Sequence, residues 1–253
     1  MNKQVIFHKR FYEEYTSDPA ADSGRMETII QELNDFKLIE PQPALDDDIL
    51  LVHTENHLNR VKNLRDHIYP IALLAAGGAI LASEYAISEK KPMFAIIRPP
   101  GHHASPKGFW GFCYFNNIAI AIQKLIEENR INKAVIIDFD LHFGDGTDNT
   151  FSKTSNVIYY SVKGSDRTQF IENMNSFLEK LEDIDIVAVS AGFDRHEDDW
   201  GGLLTTEDYK QIGKDLKNYA IGMCNGRRIA VLEGGYNHKV LGKNVRAFID
   251  GFY

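Results

Sequence analysis

Asp138, Asp140, His142 and Asp145 fall within eight residues, in the stretch Ala134-Val-Ile-Ile-Asp-Phe-Asp-Leu-His-Phe-Gly-Asp-Gly146. The four leading apolar residues have the pattern of a strand buried on both faces. Such a strand does not end in so much charge unless a cation or a set of partners compensates it. Asp140 and His142 are two apart, so on an extended backbone their side chains point the same way. A carboxylate and an imidazole converging on one point provide two of the three protein ligands of a catalytic zinc site. The competing reading of this stretch alone is an Asp-rich surface loop with one ordinary histidine.

Asp194, in Ser190-Ala-Gly-Phe-Asp194, supplies a third ligand. Asp140, His142 and Asp194 then form an oxygen–nitrogen–oxygen set with one coordination position left for water, as in hydrolytic zinc sites. Taken alone, Asp194 reads equally well as a cap on the segment that follows it. His102 and His103 are adjacent in Arg98-Pro-Pro-Gly-His-His-Ala104. Two imidazoles beside a metal suit proton transfer if each has a partner that sets its tautomer. Asp138 and Asp145 are the two carboxylates left over from metal ligation. An isolated His-His pair in a loop is ordinarily just exposed. Tyr236, presented by Glu233-Gly-Gly-Tyr236, can aim its hydroxyl at a developing oxyanion; without that context it reads as a packed aromatic. Gly108-Phe-Trp-Gly-Phe-Cys-Tyr-Phe-Asn116 is aromatic-dense for a loop. It is either core packing, the reading for Trp110 and Tyr114, or an apolar slot beside the metal with Phe112 as its wall. Cys113, among aromatic neighbours and without an adjacent base, reads as a buried apolar residue.

The elements that must position these residues follow from periodicity. Strands are expected at Val5–Phe7, Ile49–Val52, Met93–Ile97, Lys133–Asp138, Val157–Ser161, Ile184–Ser190 and Arg228–Leu232. Helices are expected at 24–36, 53–64 with Thr54 as N-cap, 116–128, near Asp148, around 170–181, at 206–223 and near 240–249. The Ala- and Gly-rich segment Ala72–Ile87 predicts close packing against a neighbour. Strand–helix alternation with continuously apolar strands means a parallel sheet covered on both faces. Each polar cluster lies just after a strand, and the carboxyl ends of parallel strands share one edge, where ligands bind. No linker divides the 253 residues, so the expectation is one α/β domain over 1–253.

Apolar residues make up 43% of the chain and charged residues 25%, ordinary values for a globular protein. The net charge of −8 argues against a general nucleic-acid binder. The two cysteines, Cys113 and Cys224, lack Cys-x-x-Cys spacing, which predicts a reducing, cytoplasmic setting. Met1–Phe7 lacks the apolar core of a signal peptide, and no run is read as a membrane span. No membrane partner is expected, and the oligomeric state stays open.

Arg98–Ala104, Gly111–Tyr114, Asp138–Gly146, Ala191–Asp194 and Leu232–Asn237 together resemble, in order and spacing, the zinc-dependent histone deacetylase and acetylpolyamine amidohydrolase superfamily. The resemblance covers most of the chain. It implies the arginase/deacetylase fold, a three-layer α/β/α domain around a mainly parallel sheet of about eight strands. It makes Asp140, His142 and Asp194 ligands of one Zn²⁺ per chain. His103 paired with Asp145 becomes the general base and acid, and His102 paired with Asp138 its electrostatic partner. Tyr236 matches the tyrosine that polarises the scissile carbonyl. Phe112 matches an aromatic wall of the acyl-lysine channel, with Gly111 and Gly234 beside it. The family also holds monovalent cations, K⁺ or Na⁺. Asp138, Asp140, His142, Ser161 and Val162 match the site nearest the zinc, the last through its carbonyl, and Phe151, Thr154 and Val157 match part of a second. Arg25 matches the internal-channel arginine.

Three departures from the family pattern bear on substrate choice. Phe143 stands where a second histidine is usual. The chain between Leu58 and Ala75 is too short for the loop that carries an acidic rim residue in relatives. After Ser161, Lys163-Gly-Ser-Asp-Arg-Thr168 replaces the loop that normally gives the second wall of the channel, which predicts an open site unless oligomerisation closes it. The leading reading is an amidohydrolase acting on a small or peptide-borne N-acylated amine, such as acetyl-lysine or an acetylpolyamine. The alternatives are a zinc-containing acyl-amine binding module without turnover and an arginase-like hydrolase with two manganese ions. The last is disfavoured by the apolar ring of Phe143 where further ligands are needed.

Overall fold

The apolar runs become the centre of a seven-stranded, all-parallel sheet in the computed structural model, which describes residues 3–64 and 67–253. Met1 and Asn2 of the stretch Met1–Phe7, and Arg65 and Asp66 of the shortened Leu58–Ala75 connection, lie outside the described residues. The strands are β1 (Gln4–Ile6), β2 (Lys37–Ile39), β3 (Met93–Ala95), β4 (Ala134–Asp138), β5 (Val157–Ser161), β6 (Ile186–Ala191) and β7 (Arg228–Leu232). Their order across the sheet is β2-β1-β3-β7-β6-β4-β5. Every residue of β3, β4, β6 and β7 is buried, as strands covered on both faces require.

The helices are α1 (Arg25–Glu32), α2 (Asp46–Leu50), α3 (Glu55–Lys62), α4 (Ile68–Ser88), α5 (Asn117–Glu127), α6 (Asp145–Phe151), α7 (Arg167–Leu178), α8 (Thr206–Cys224) and α9 (His238–Phe252). They form two packed groups, one around α4 and α5 and one around α1, α8 and α9, with the sheet between them in the expected three-layer arrangement. Thr54 caps α3 as expected, its side chain accepting from the His57 N–H. The predicted close approach of the Ala/Gly-rich segment is real. A Cβ on Gly77 would lie 1.9 Å from the Gln42 carbonyl oxygen, and one on Gly78 2.7 Å from Ile97 Cγ2.

The seven strands among the described residues fit the expected mainly parallel sheet of about eight. Two expectations need correction, and one strand was missed. Ile49–Val52 is not a strand: Asp46–Leu50 is helical, because three acidic residues suit the positive end of a helix and Asp48 accepts a hydrogen bond from the Leu45 N–H. The edge strand β2 escaped detection because it is mostly exposed and carries no apolar alternation. Finally, α4 is long and apolar enough to cross a membrane by length and composition. Here 67% of its most apolar window is buried within the protein, against α5, β3 and β7.

Candidate active site

Five neighbouring strands, β3, β7, β6, β4 and β5, deliver their carboxyl ends side by side, and the polar clusters leave the sheet there. After β4 the chain turns through Asp138, Asp140 and His142. After β6 it carries Asp194 over Gly192, where a Cβ would lie 2.1 Å from Asp140 Oδ2. Asp140, His142 and Asp194 bring ligand atoms within 4.8 Å of one another. His142 Nδ1 lies 3.3 Å from Asp140 Oδ1 and 3.2 Å from Asp194 Oδ2. Asp194 does not cap a following segment. Its Oδ1 accepts from the Leu141 N–H at 2.9 Å, and its buried Oδ2 has no hydrogen-bond donor.

The three groups interact strongly with one another. Burial opposes the Asp140 charge, but His102 and hydrogen bonds from His142 and Gly234 outweigh it and hold its carboxyl below the usual range. Burial and then the charge of Asp140 push the Asp194 carboxyl up to about 6. The hydrogen-bonded Asp140 carboxylate and the neighbouring Asp194 carboxylate raise the His142 imidazole to about 10. Two buried carboxylates and an imidazole aimed at one point, with one carboxylate oxygen lacking a donor, fit a divalent cation in chemistry and in number.

The histidine pair sits on the turn after β3, with ring centroids 4.1 Å apart. His102 Nδ1 pairs with Asp138 Oδ2 at 3.0 Å, and His103 Nδ1 with Asp145 Oδ1 at 2.7 Å. These are the pairings the resemblance implies. Asp138 is itself fixed by the Tyr159 hydroxyl, which donates to Oδ2 at 2.9 Å, and by the Asp140 N–H, which donates to Oδ1 at 3.0 Å. Burial and then the neighbouring His102 lower the His103 pKa, which favours the neutral ring and leaves Nε2 able to accept a proton. Burial pushes the Tyr236 hydroxyl well above its ordinary range, so it stays protonated and able to donate.

One small cavity of about 120 Å³ collects His102, His103, Gly111, Phe112, His142, Gly234 and Tyr236 on its walls. Gly111 (φ 56°) and Phe112 (φ 67°) both sit in the left-handed region, a turn that swings the Phe112 ring to within 6.1 Å of Tyr236. A Cβ on Gly111 would strike His103 Cδ2 at 2.5 Å, so the backbone can pass there only as glycine. Larger grooves exist elsewhere, including one between β1, β3 and the end of α9, but they carry none of this chemistry.

Several residues were missed or misread from the sequence. Trp110 is 55% exposed rather than part of the core; its indole lies 4.0 Å from the His103 ring and donates from Nε1 to Asp145 Oδ2 at 2.9 Å. Tyr114 and Cys113 are buried as expected. Trp200 was passed over, yet it lines the cavity, whereas the replaced loop 163–168 does not. The signal was a bulky apolar residue in the acidic segment Glu197-Asp-Asp-Trp200. Glu233, fully buried, accepts from the Gly101 N–H at 2.7 Å and the His102 N–H at 3.2 Å, and so holds the histidine turn. A glutamate directly after the apolar strand β7 was its signal. Arg25 is also fully buried, and donates from Nε to the Gly235 carbonyl at 2.8 Å and from Nη2 to that of Glu233 at 2.6 Å.

The residues matched to monovalent-cation sites are already engaged in part. The Asp138 carbonyl accepts from the Val162 N–H at 2.8 Å. The Arg195 side chain donates to the carbonyls of Asp140 and Val162. Phe151 O accepts from both the N–H and the hydroxyl of Thr154, each at 2.9 Å, and Val157 lies in β5.

The fold is a parallel α/β scaffold with a candidate metal site at the carboxyl edge of its sheet, and the comparisons with known proteins give its class. The histone deacetylase domain family model matches residues 20–170 and 162–252. A probable deacetylase of Methanothermobacter thermautotrophicus is 30% identical, over 98% of this chain and 90% of that protein. A probable deacetylase of Archaeoglobus fulgidus is 31% identical, over 88% of this chain and 74% of that protein. The crystal structure of the HDA15 HD domain superposes with a TM-score of 0.86 at 23% identity, covering 98% of this chain and 89% of the other, a likeness of fold. The chain belongs to the histone deacetylase domain family, and its class is that of a deacetylase hydrolase.

Proposed function

We propose that this protein is a zinc-dependent amidohydrolase that removes an acetyl or other acyl group from an N-acylated amine. The observation that carries the reading is the meeting, around one cavity, of three ligand atoms, a neutral histidine with a carboxylate behind it, and a buried tyrosine hydroxyl. Asp140, His142 and Asp194 would hold the zinc. Zinc in that position supplies Lewis acidity toward the acyl carbonyl and acidifies water.

The chain's own residues then do the following. Asp145 holds the proton of His103 on Nδ1, so Nε2 takes a proton from the attacking water as its oxygen bonds to the acyl carbon. The Tyr236 hydroxyl donates to the carbonyl oxygen as negative charge develops there. His103 passes the proton to the amine nitrogen as the carbon–nitrogen bond breaks, and the acid's remaining proton also goes to the amine, so that a carboxylate and an ammonium ion leave. His102, backed by Asp138, sets the field beside His103. Phe112 and Tyr236 give the acyl group apolar surroundings. An overall charge of −8 favours the approach of cationic amines, a feature shared by polyamines and basic peptides.

The test is product release from a panel of acetyl-lysine peptides, acetylputrescine and acetylspermidine, with zinc-loaded protein against its His103→Ala variant. Turnover that disappears in the variant supports the reading, and the preferred amine names the substrate class. Stoichiometric zinc without turnover of any panel member would favour an acyl-amine binding module instead.

A further inference from the structure

We propose that the Arg195 guanidinium is the resident cation beside the metal triad, so that this protein takes no potassium or sodium ion there. The inference stands apart from the catalytic reading, because it concerns how the ligand loop is held and its first readout needs no turnover.

Arg195 directly follows the metal-site residue Asp194. Its Nε donates to the Asp140 carbonyl at 3.1 Å, and its Nη2 donates to the carbonyls of Leu141 at 3.2 Å and Val162 at 3.4 Å. The edge of the guanidinium therefore faces three carbonyl oxygens drawn from the turn after β4 and the end of β5. The Phe170 ring lies 4.9 Å from the guanidinium carbon. That ring is fully buried and packs the cation against the core.

Carbonyl dipoles converging in this way need positive charge or N–H donors, and a guanidinium supplies both. It also sheds hydration more readily than an ammonium. One of these oxygens, that of Val162, is the carbonyl that the family resemblance offers to a monovalent ion, and Asp140 is a residue of the same set. An ion using that carbonyl would sit a few ångströms from a fixed like charge, where the two repel. The residues present thus do not fit a monovalent ion. The charge is instead supplied by the chain, from the residue next to one metal ligand to the backbone of another. Arg195 acts as a positioning residue for the turn that carries Asp140 and His142.

The experiment is thermal unfolding of zinc-loaded protein in tetramethylammonium chloride, an ion too large for a carbonyl cage, against potassium or sodium chloride at the same ionic strength. Wild-type protein should unfold at the same temperature in all three. Arg195→Ala should unfold lower in tetramethylammonium and recover by about 5 °C in 100 mM potassium or sodium, as expected for an ion that regains its site. Arg195→Lys, which keeps a tethered cation, should recover less than Arg195→Ala. If Arg195→Ala does not fold in tetramethylammonium, refolding yield replaces the melting temperature, with restoration by potassium as the supporting result. Stabilisation of the wild type by potassium as large as that of Arg195→Ala would overturn the proposal. So would an Arg195→Ala protein indifferent to both ions.

Discussion

The indole of Trp200 stacks on the Tyr236 ring, with centroids 4.1 Å apart and planes 26° from parallel. The residue before it completes the hold. Asp199 Oδ2 accepts from the N–H groups of Tyr236 and Asn237, both at 2.8 Å. Asp199 Oδ1 accepts from the Trp200 N–H at the same distance. The dipeptide Asp199-Trp200 therefore grips both the ring and the backbone of the proposed oxyanion donor.

Removing that stack should cost turnover without costing metal. Trp200→Ala is expected to lower kcat about ten- to a hundredfold, the range for a catalytic group displaced by an ångström or so. Tyr236→Phe should lose about 10²–10³ in rate. If Trp200 works through Tyr236, the double variant is no slower than Tyr236→Phe alone, and zinc content is unchanged throughout. Steady-state kinetics with metal analysis of the four proteins decides it; additive losses would mean that Trp200 acts by another route.

Gly234 is expected to be indispensable for metal binding. Its N–H donates to Asp140 Oδ2 at 2.8 Å, and a Cβ there would lie 2.6 Å from Asp140 Oδ2 and 2.7 Å from Asp194 Oδ2. Neither carboxylate can retreat without leaving the donor set. Gly234→Ala should weaken zinc affinity by about 10–100-fold, the usual cost of disturbing groups that orient ligands. Gly222→Ala, on α8 with nothing within 4 Å of the added carbon, is the control and should bind zinc normally. Competition with a chelator of known affinity measures both.

Acid should destabilise the fold through His53. Its ring stacks on His57 at 4.4 Å, its Nε2 accepts from the Asn116 N–H at 2.9 Å, and its Nδ1 therefore donates to the Ser105 carbonyl at 3.0 Å. Burial, and then the proximity of His57, lower its pKa to about 3. The unfolded chain, near 6.5, takes up the proton first. Its contribution is thus intact above pH 6.5 and is lost progressively as pH falls toward 3, by about 2 kcal/mol at pH 5. Denaturant unfolding at pH 7.5 and 5.0 should show a smaller difference for His53→Gln than for the wild type. Equal differences would assign the acid sensitivity to other groups.

Much of this protein was legible in residue order alone. Strand β7 falls where its apolar pattern puts it, because a strand buried on both faces must be continuously apolar; β5 and the start of α8 also fall where expected. The meeting of segments far apart in the chain followed from parallel topology, which gathers every strand's carboxyl end on one edge, while the pairing of His103 with Asp145 came only from the family resemblance. The edge strand β2 and the helix α2 were not legible: the first buries too little to leave a period, and the second is set by charge at its N-terminus. Composition and spacing could not have shown that Trp200 lies on Tyr236, that Trp110 covers His103, or that Arg195 turns inward to three carbonyls. Those contacts depend on loop paths across the sheet edge, where backbone geometry rather than hydrophobic periodicity decides which side chain reaches which neighbour. The kind of chemistry was thus determined by the sequence, and the cations and aromatic rings that hold its parts in place by the tertiary structure.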